Sequence, residues 1–154
     1  MKRTIILLAG MLATIASAAT IADAQAGVST AHASRATEVE LHHTSLGGIL
    51  TSSSGFTLYE FSRDHGGADS CVRIHGCAQA WPALETSGRP IAGPGVKASL
   101  LSSVRIAGGA SQVTYAGHPL YTFSEDSRGA TDYVGVNEFG GNWDAVGSSG
   151  QTVK

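Results

Sequence analysis

Tyr59-Glu60-Phe61-Ser62-Arg63-Asp64 recurs 62 residues later as Tyr121-Thr122-Phe123-Ser124-Glu125-Asp126, and Trp81 recurs as Trp143 at the same offset. Each copy reads as a strand running into a loop. Phe56 to Phe61 is rich in aromatic and β-favouring residues, which predicts a strand. On it Tyr59 and Phe61 share one face, while Phe56 and Leu58 share the other. Apolar residues on both faces predict a central strand rather than an edge. Asp64 then opens Asp64-His65-Gly66-Gly67-Ala68-Asp69-Ser70, a run with the residue types of a loop.

Aligning residues 55–88 with 117–150 without gaps gives 13 identities in 34 pairs, among them Gly55/Gly117, Leu58/Leu120, Gly67/Gly129 and Ala83/Ala145. One unit is therefore written twice. Two such units can bury each other's apolar faces as packed sheets or by closing into a barrel. The expected fold is all-β: two tandem antiparallel units of about four strands each, packed as a sandwich or barrel, with long loops and at most a short helical turn. In the first unit, Glu38–His42 alternates polar and apolar, and Ile49–Thr51 follows Gly47-Gly48. Cys77–Trp81 is the helical turn, stopped by Pro82. Thr86–Gly95, with Pro90 and Pro94, reads as a connector. In the second unit the strands are Val104–Ile106, Gln112–Tyr115, Pro119–Phe123 and Asn142–Val146.

Outside the repeats, Lys2 and Arg3 precede an apolar run from Thr4 to Ile15 and then small residues. This is the pattern of a secretory signal peptide. Ala16-Ser17-Ala18, Ala22-Asp23-Ala24 and Ala24-Gln25-Ala26 are its candidate cleavage sites. The run is shorter than the roughly 20 residues needed to span a bilayer, so cleavage is expected rather than anchoring. The domain reading is a signal peptide at 1–26, a flexible leader at 27–37 and a single β domain at 38–154, with repeats at about 38–88 and 100–150. Localisation is then periplasmic or secreted, with no membrane span after cleavage.

Loss of Lys2, Arg3 and Asp23 leaves eight basic against eleven acidic residues, a formal −3. No basic stripe is present to neutralise phosphates, which argues against nucleic acid as a partner. Cys71 and Cys77 in an exported chain predict a disulfide. The rival reading is a pair of metal ligands or a redox couple. In the alignment they stand opposite Tyr133 and Phe139, which favours a structural role for both pairs.

Tyr59-x-Phe61-x-x-Asp64, Tyr121-x-Phe123-x-x-Asp126, Gly55-Phe56-Thr57-Leu58-Tyr59, Cys77-Ala78-Gln79-Ala80-Trp81-Pro82 and Gly117-His118-Pro119-Leu120-Tyr121 together resemble a bacterial family. It is the secreted-repeat family of predicted lipoproteins, with tandem Tyr-x-aromatic-x-x-Asp motifs and no established biochemical function. The resemblance covers about 45 to 147. It implies export and repeat architecture, but no activity. The chain departs from the lipoprotein members in lacking a lipid-attachment cysteine, and its five residues between Cys71 and Cys77 are more than the family's usual spacing.

Several residues are candidates for chemistry. Asp64 and Asp126 read first as acceptors of backbone N–H groups in the turn leaving the strand. A cation site with Asp69 or Asp132 is the sharper alternative, though no calcium-loop spacing is present. Tyr59, Phe61, Trp81, Tyr121, Phe123 and Trp143 read as core, with an aromatic ligand shelf as the alternative. His42, His43, His65, His75 and His118 lack any recognised ligand spacing. His65 and His75 flank the cysteine loop and are the metal candidates. No nucleophile elbow or phosphate loop is present. The leading expectation is an exported non-catalytic module without a cofactor, binding a small ligand or an envelope protein. Metal or redox handling by the His65/Cys71/His75/Cys77 loop is second, and a small hydrolase is third.

Overall fold

The computed structural model describes residues 36–154. The expected signal peptide and nearly all of the leader lie outside the described residues. Eleven strands are present among the described residues: β1 (Glu38–Thr44), β2 (Gly47–Ser52), β3 (Tyr59–Phe61), β4 (Glu85–Thr86), β5 (Ile91–Ala92), β6 (Leu101–Arg105), β7 (Ser111–Tyr115), β8 (His118–Pro119), β9 (Val136–Glu138), β10 (Gly141–Val146) and β11 (Thr152–Val153). A helical turn, α1, spans Cys77–Ala80 where it was expected. The strands form three small sheets, ordered β2-β1-β5, β11-β10-β3 with β9 on β10, and β4-β7-β6 with β8 on β7. The fold is all-β, and the barrel alternative is replaced by these open sheets.

Three boundaries differ from expectation. The third strand begins at Tyr59, because Phe56 is still in the turn closed by Ser52 (Ser52 N–H to Phe56 carbonyl, 2.9 Å). In the second unit, Pro119–Phe123 is broken into β8 and an isolated bridge at Tyr121. The connector is not structureless. It contributes β4 to the β7 sheet and β5 to a parallel pairing with β1.

The two faces of β3 bury into two separate cores, as the alternation requires. Leu58, just before the strand, joins Val39, Leu50, Leu101, Val113, Leu120 and Val146 in an aliphatic cluster. Tyr59 and Phe61 join Trp81, Tyr121, Trp143 and both cysteines in an aromatic one. β3 is central: β10 flanks one edge, and Tyr59 bridges Tyr121 on the other.

The repeats are interlocked. Phe61 of the first unit pairs with Trp143 of the second, and Tyr59 with Ala145. Reciprocally, Tyr121 of the second unit bridges Ala83 of the first. Ser62 N–H donates to Asn142 O (2.9 Å), and its counterpart Ser124 N–H donates to Ala80 O (2.8 Å). At the centre Tyr59 and Tyr121 exchange both backbone hydrogen bonds, each 2.9 Å. Each motif strand therefore pairs with the tryptophan segment of the other unit.

Candidate functional site

The recurring motif residues meet at this centre. Trp81 and Trp143 stack at 4.2 Å with planes 5° apart. Phe61 stacks on the outer face of Trp143 at 4.1 Å, and Phe123 lies against Trp81 at 4.4 Å. Tyr59 meets Trp81 edge-on at 5.1 Å, and Tyr121 meets Trp143 edge-on at 5.1 Å. Each aromatic pair of this kind stabilises by about 0.5–1.5 kcal/mol beyond its area burial. Gly141 lets Phe61 reach the stack, since a Cβ there would lie 2.6 Å from its ring.

The motif aspartates close the same exchange. Tyr59 donates its hydroxyl proton to Asp126 Oδ2 at 2.9 Å, and Tyr121 donates to Asp64 Oδ2 at 2.8 Å. Asp64 Oδ1 also accepts the Ser70 backbone N–H at 2.7 Å, the turn contact its position predicted. Asp126 Oδ1 has no such partner. Burial, reinforced by the facing carboxylates, pushes both phenols well above their ordinary range, so they act as permanent donors. Burial also raises both carboxyls. For Asp64 the Ser70 and Tyr121 hydrogen bonds partly offset it; for Asp126 the Tyr59 bond opposes it while Asp132 adds to it.

Cys71 and Cys77 are joined in a disulfide buried in the aromatic cluster, with Tyr133 and Phe139 packed against the same cluster. With both sulfurs bonded, the loop offers no thiolate to a metal, and no free cysteine remains. His65 and His75 are exposed on either side of it. Asp69 Oδ1 accepts the Val72 N–H at 2.9 Å and so is tied to the loop that enters Cys71–Arg73. His42 and His43 are exposed on β1. Among the described residues no three His, Cys, Asp or Glu side chains are grouped to hold a metal ion.

A different set of residues breaks the symmetry. Glu60 and Asp144 are directly opposite in the β3–β10 register. They are only 6% and 4% exposed, on the face where the alternation has moved past Leu58 and Val146. His118 Nδ1 lies 2.6 Å from Glu60 Oε2, and the Thr152 hydroxyl donates to Glu60 Oε1. Asp144 Oδ1 is buried and has no hydrogen-bond partner. The two acids, with His118, Thr152 and Lys154, line a cleft of about 340 Å³. Burial raises the Asp144 carboxyl, and the Lys154 charge partly opposes this. Like charges directly opposite on a sheet destabilise it, and an unpaired buried carboxylate costs more. The sister positions are Thr122 for Glu60, Pro82 for Asp144 and Phe56 for His118. The duplicated frame carries this arrangement on one side only.

The motif drew attention to Tyr59, Phe61 and Asp64, and passed over Glu60 between them. The signal that would have found the cleft was in the same alignment: Glu60/Thr122, Asp144/Pro82 and His118/Phe56 each set an ionisable residue against one that is not. Only the cross-unit register brings those three positions together.

Residues 102–147 match a family described as a secreted repeat of unknown function. The matched stretch holds the second motif, Tyr121 to Asp126, and Trp143, in agreement with the resemblance drawn from the sequence. No curated protein and no solved structure matches the chain. No helix among the described residues is long and apolar enough to cross a membrane.

Proposed function

We propose that this chain works outside the cytoplasm, in the periplasm or beyond, as a non-catalytic module that binds a small ligand in the Glu60–His118–Asp144 cleft. One observation carries the reading: Asp144, a buried carboxylate with an unpartnered oxygen, lines this cleft beside Glu60 and His118, while the sister positions are Pro82, Thr122 and Phe56. A fold that needed only to be stable would keep neutral residues there, as Thr122 and Pro82 show. Binding sites retain such groups at a cost in stability. The secreted-family match and the disulfide support the location. The motif aromatics and aspartates are the frame that holds β3 against β10. Metal or redox handling by the cysteine loop is weaker, since its sulfurs are bonded to each other and buried.

Asp144→Asn tests the reading without knowledge of the ligand. Removing the charge should raise the urea midpoint at neutral pH, by about 1 kcal/mol in stability. A loss of stability would mean that the carboxylate belongs to the scaffold, and the cleft would then not be a binding site.

A further inference from the structure

We infer that Tyr59 is a redox-active residue: an external one-electron oxidant draws an electron from it through the aromatic cluster, and Tyr59 passes its hydroxyl proton to Asp126 as the electron leaves. The observation that points this way is the kind of acceptor each buried phenol has. Tyr115 is as fully buried as Tyr59 and Tyr121, and a backbone carbonyl, that of Ser148 at 2.8 Å, is enough to hold its hydroxyl. Tyr59 and Tyr121 instead donate to carboxylates. Both aspartates are half-buried, and taking a carboxylate out of water costs more than doing so for a carbonyl or an amide. Satisfying the hydroxyls therefore does not account for the choice. A carboxylate can do what a carbonyl or an amide cannot, which is to take the proton. An oxidised phenol is a strong acid, and it forms readily only where a base stands ready for its proton.

The two pairs are not equal. Asp64 Oδ1 accepts the Ser70 N–H at 2.7 Å, which favours its ionised form, whereas Asp126 Oδ1 has no partner. Asp126 is thus the better proton acceptor, and Tyr59 the better electron donor. Tyr59 meets Trp81 edge-on at 5.1 Å, and Trp81 stacks on Trp143 on one face and lies against Phe123 on the other. Tyr133, half-buried, lies against Phe123 at 4.1 Å and brings this run of rings to the surface. Rings in contact couple electronically, so the oxidant need not reach Tyr59 itself. In the step the oxidant, a radical or a high-valent metal centre outside the protein, gains one electron. Tyr59 loses that electron, its O–H bond breaks, and the proton bonds to Asp126. An enediol reductant such as ascorbate returns the electron, and the proton moves back from Asp126 to the Tyr59 oxygen. This activity is independent of the Glu60–Asp144 cleft.

The test is flash oxidation of the full folded chain by photogenerated tris(bipyridine)ruthenium(III) at neutral pH, followed by transient absorption, in which tryptophanyl and tyrosyl radicals have separate bands. A tryptophanyl signal should appear first and decay into a tyrosyl signal. The second step should be slower in heavy water, because a proton moves with the electron. Tyr59→Phe should remove most of the tyrosyl signal and leave the tryptophanyl radical to persist. Asp126→Asn keeps an oxygen that accepts the hydroxyl but offers no base for the proton. It should slow tyrosyl formation by about tenfold or more, as loss of a positioned base does. Asp64→Asn should change the rate little. If Asp126→Asn does not fold, the heavy-water measurement on the wild-type chain decides the proton's part. Unchanged tyrosyl formation in Tyr59→Phe or Asp126→Asn, an equal loss in Asp64→Asn, the absence of a solvent isotope effect, or a tryptophanyl signal that never passes to tyrosine would overturn the assignment.

Discussion

Trp81 and Trp143 occupy equivalent positions in one stack, but their indole N–H groups meet different surroundings. Trp81 Nε1 donates to Glu138 Oε2 at 3.0 Å, while Trp143 Nε1 is buried without a partner. The residue equivalent to Glu138 in the first unit is Gly76, which has φ of +81°. A side chain at that position would be strained, so the turn before α1 excludes the acceptor that Trp143 lacks. The Trp81 bond should therefore be measurable on its own. Glu138→Ala is expected to cost about 1 kcal/mol in urea denaturation, and Glu138→Gln, which keeps an acceptor, much less. Equal losses in both variants would assign the effect to charge rather than to the indole bond. Residues of this kind are hard to read in a sequence. Glu138 is an exposed strand residue 57 positions from its partner, and nothing local marks it.

The two units hold their motif loops by different means. In the first, the Cys71–Cys77 disulfide closes the segment beside Trp81; in the second, Tyr133 lies tilted against Phe123 at 4.1 Å and Phe139 packs on the same cluster. Phe139 takes φ of +54°, and its carbonyl accepts Arg63 Nη1 at 2.9 Å, which fixes this unusual backbone in place. A short closed loop contributes about 2 kcal/mol through the unfolded chain. Replacing both cysteines by alanine should lower stability by at least that amount, and added reductant should then change the variant's melting curve no further. The wild-type protein should lose a similar amount on reduction. An unchanged melt in the double variant would show that the aromatic cluster alone holds the loop. The elements themselves were largely legible: the alternation at Glu38–His42, the two-faced strand at Tyr59–Phe61 and the helical turn before Pro82 follow from local pattern. Partner choice was not. A tandem repeat reads as two self-contained units, yet Phe61 pairs with Trp143 rather than with Trp81's segment, because strand pairing is decided by which faces can be buried together. The two-residue strands β4 and β5 are likewise set by their neighbours, Gln112 and Val39 among them, and not by the Pro- and Gly-rich sequence they occupy.

Because each motif strand pairs across the repeat, the units have no separate cores, and stability should be lost in one cooperative step. Charges in either unit then register on the same transition. Asp64, Asp126 and Asp144 all have carboxyls raised above the ordinary aspartate value of 3.8, with burial the largest cause in each. For an acid with a raised folded value, the folded state binds the proton more tightly than the unfolded chain. Its favourable contribution is complete below 3.8 and disappears as the pH rises through the raised value. The stability of wild-type protein relative to Asp144→Asn isolates one such group, because the other titrations cancel in the difference. At neutral pH the variant should be the more stable. Its advantage should shrink steadily as the pH is lowered and be smallest below 3.8, where the wild-type carboxyl is protonated in both states. Urea midpoints measured across that range give the curve directly. A difference that stays constant with pH would mean that Asp144 does not titrate with folding, and that its stability effect comes from shape alone. A difference of opposite slope would mean that Lys154 outweighs burial, and would identify the pair as a salt bridge of the scaffold.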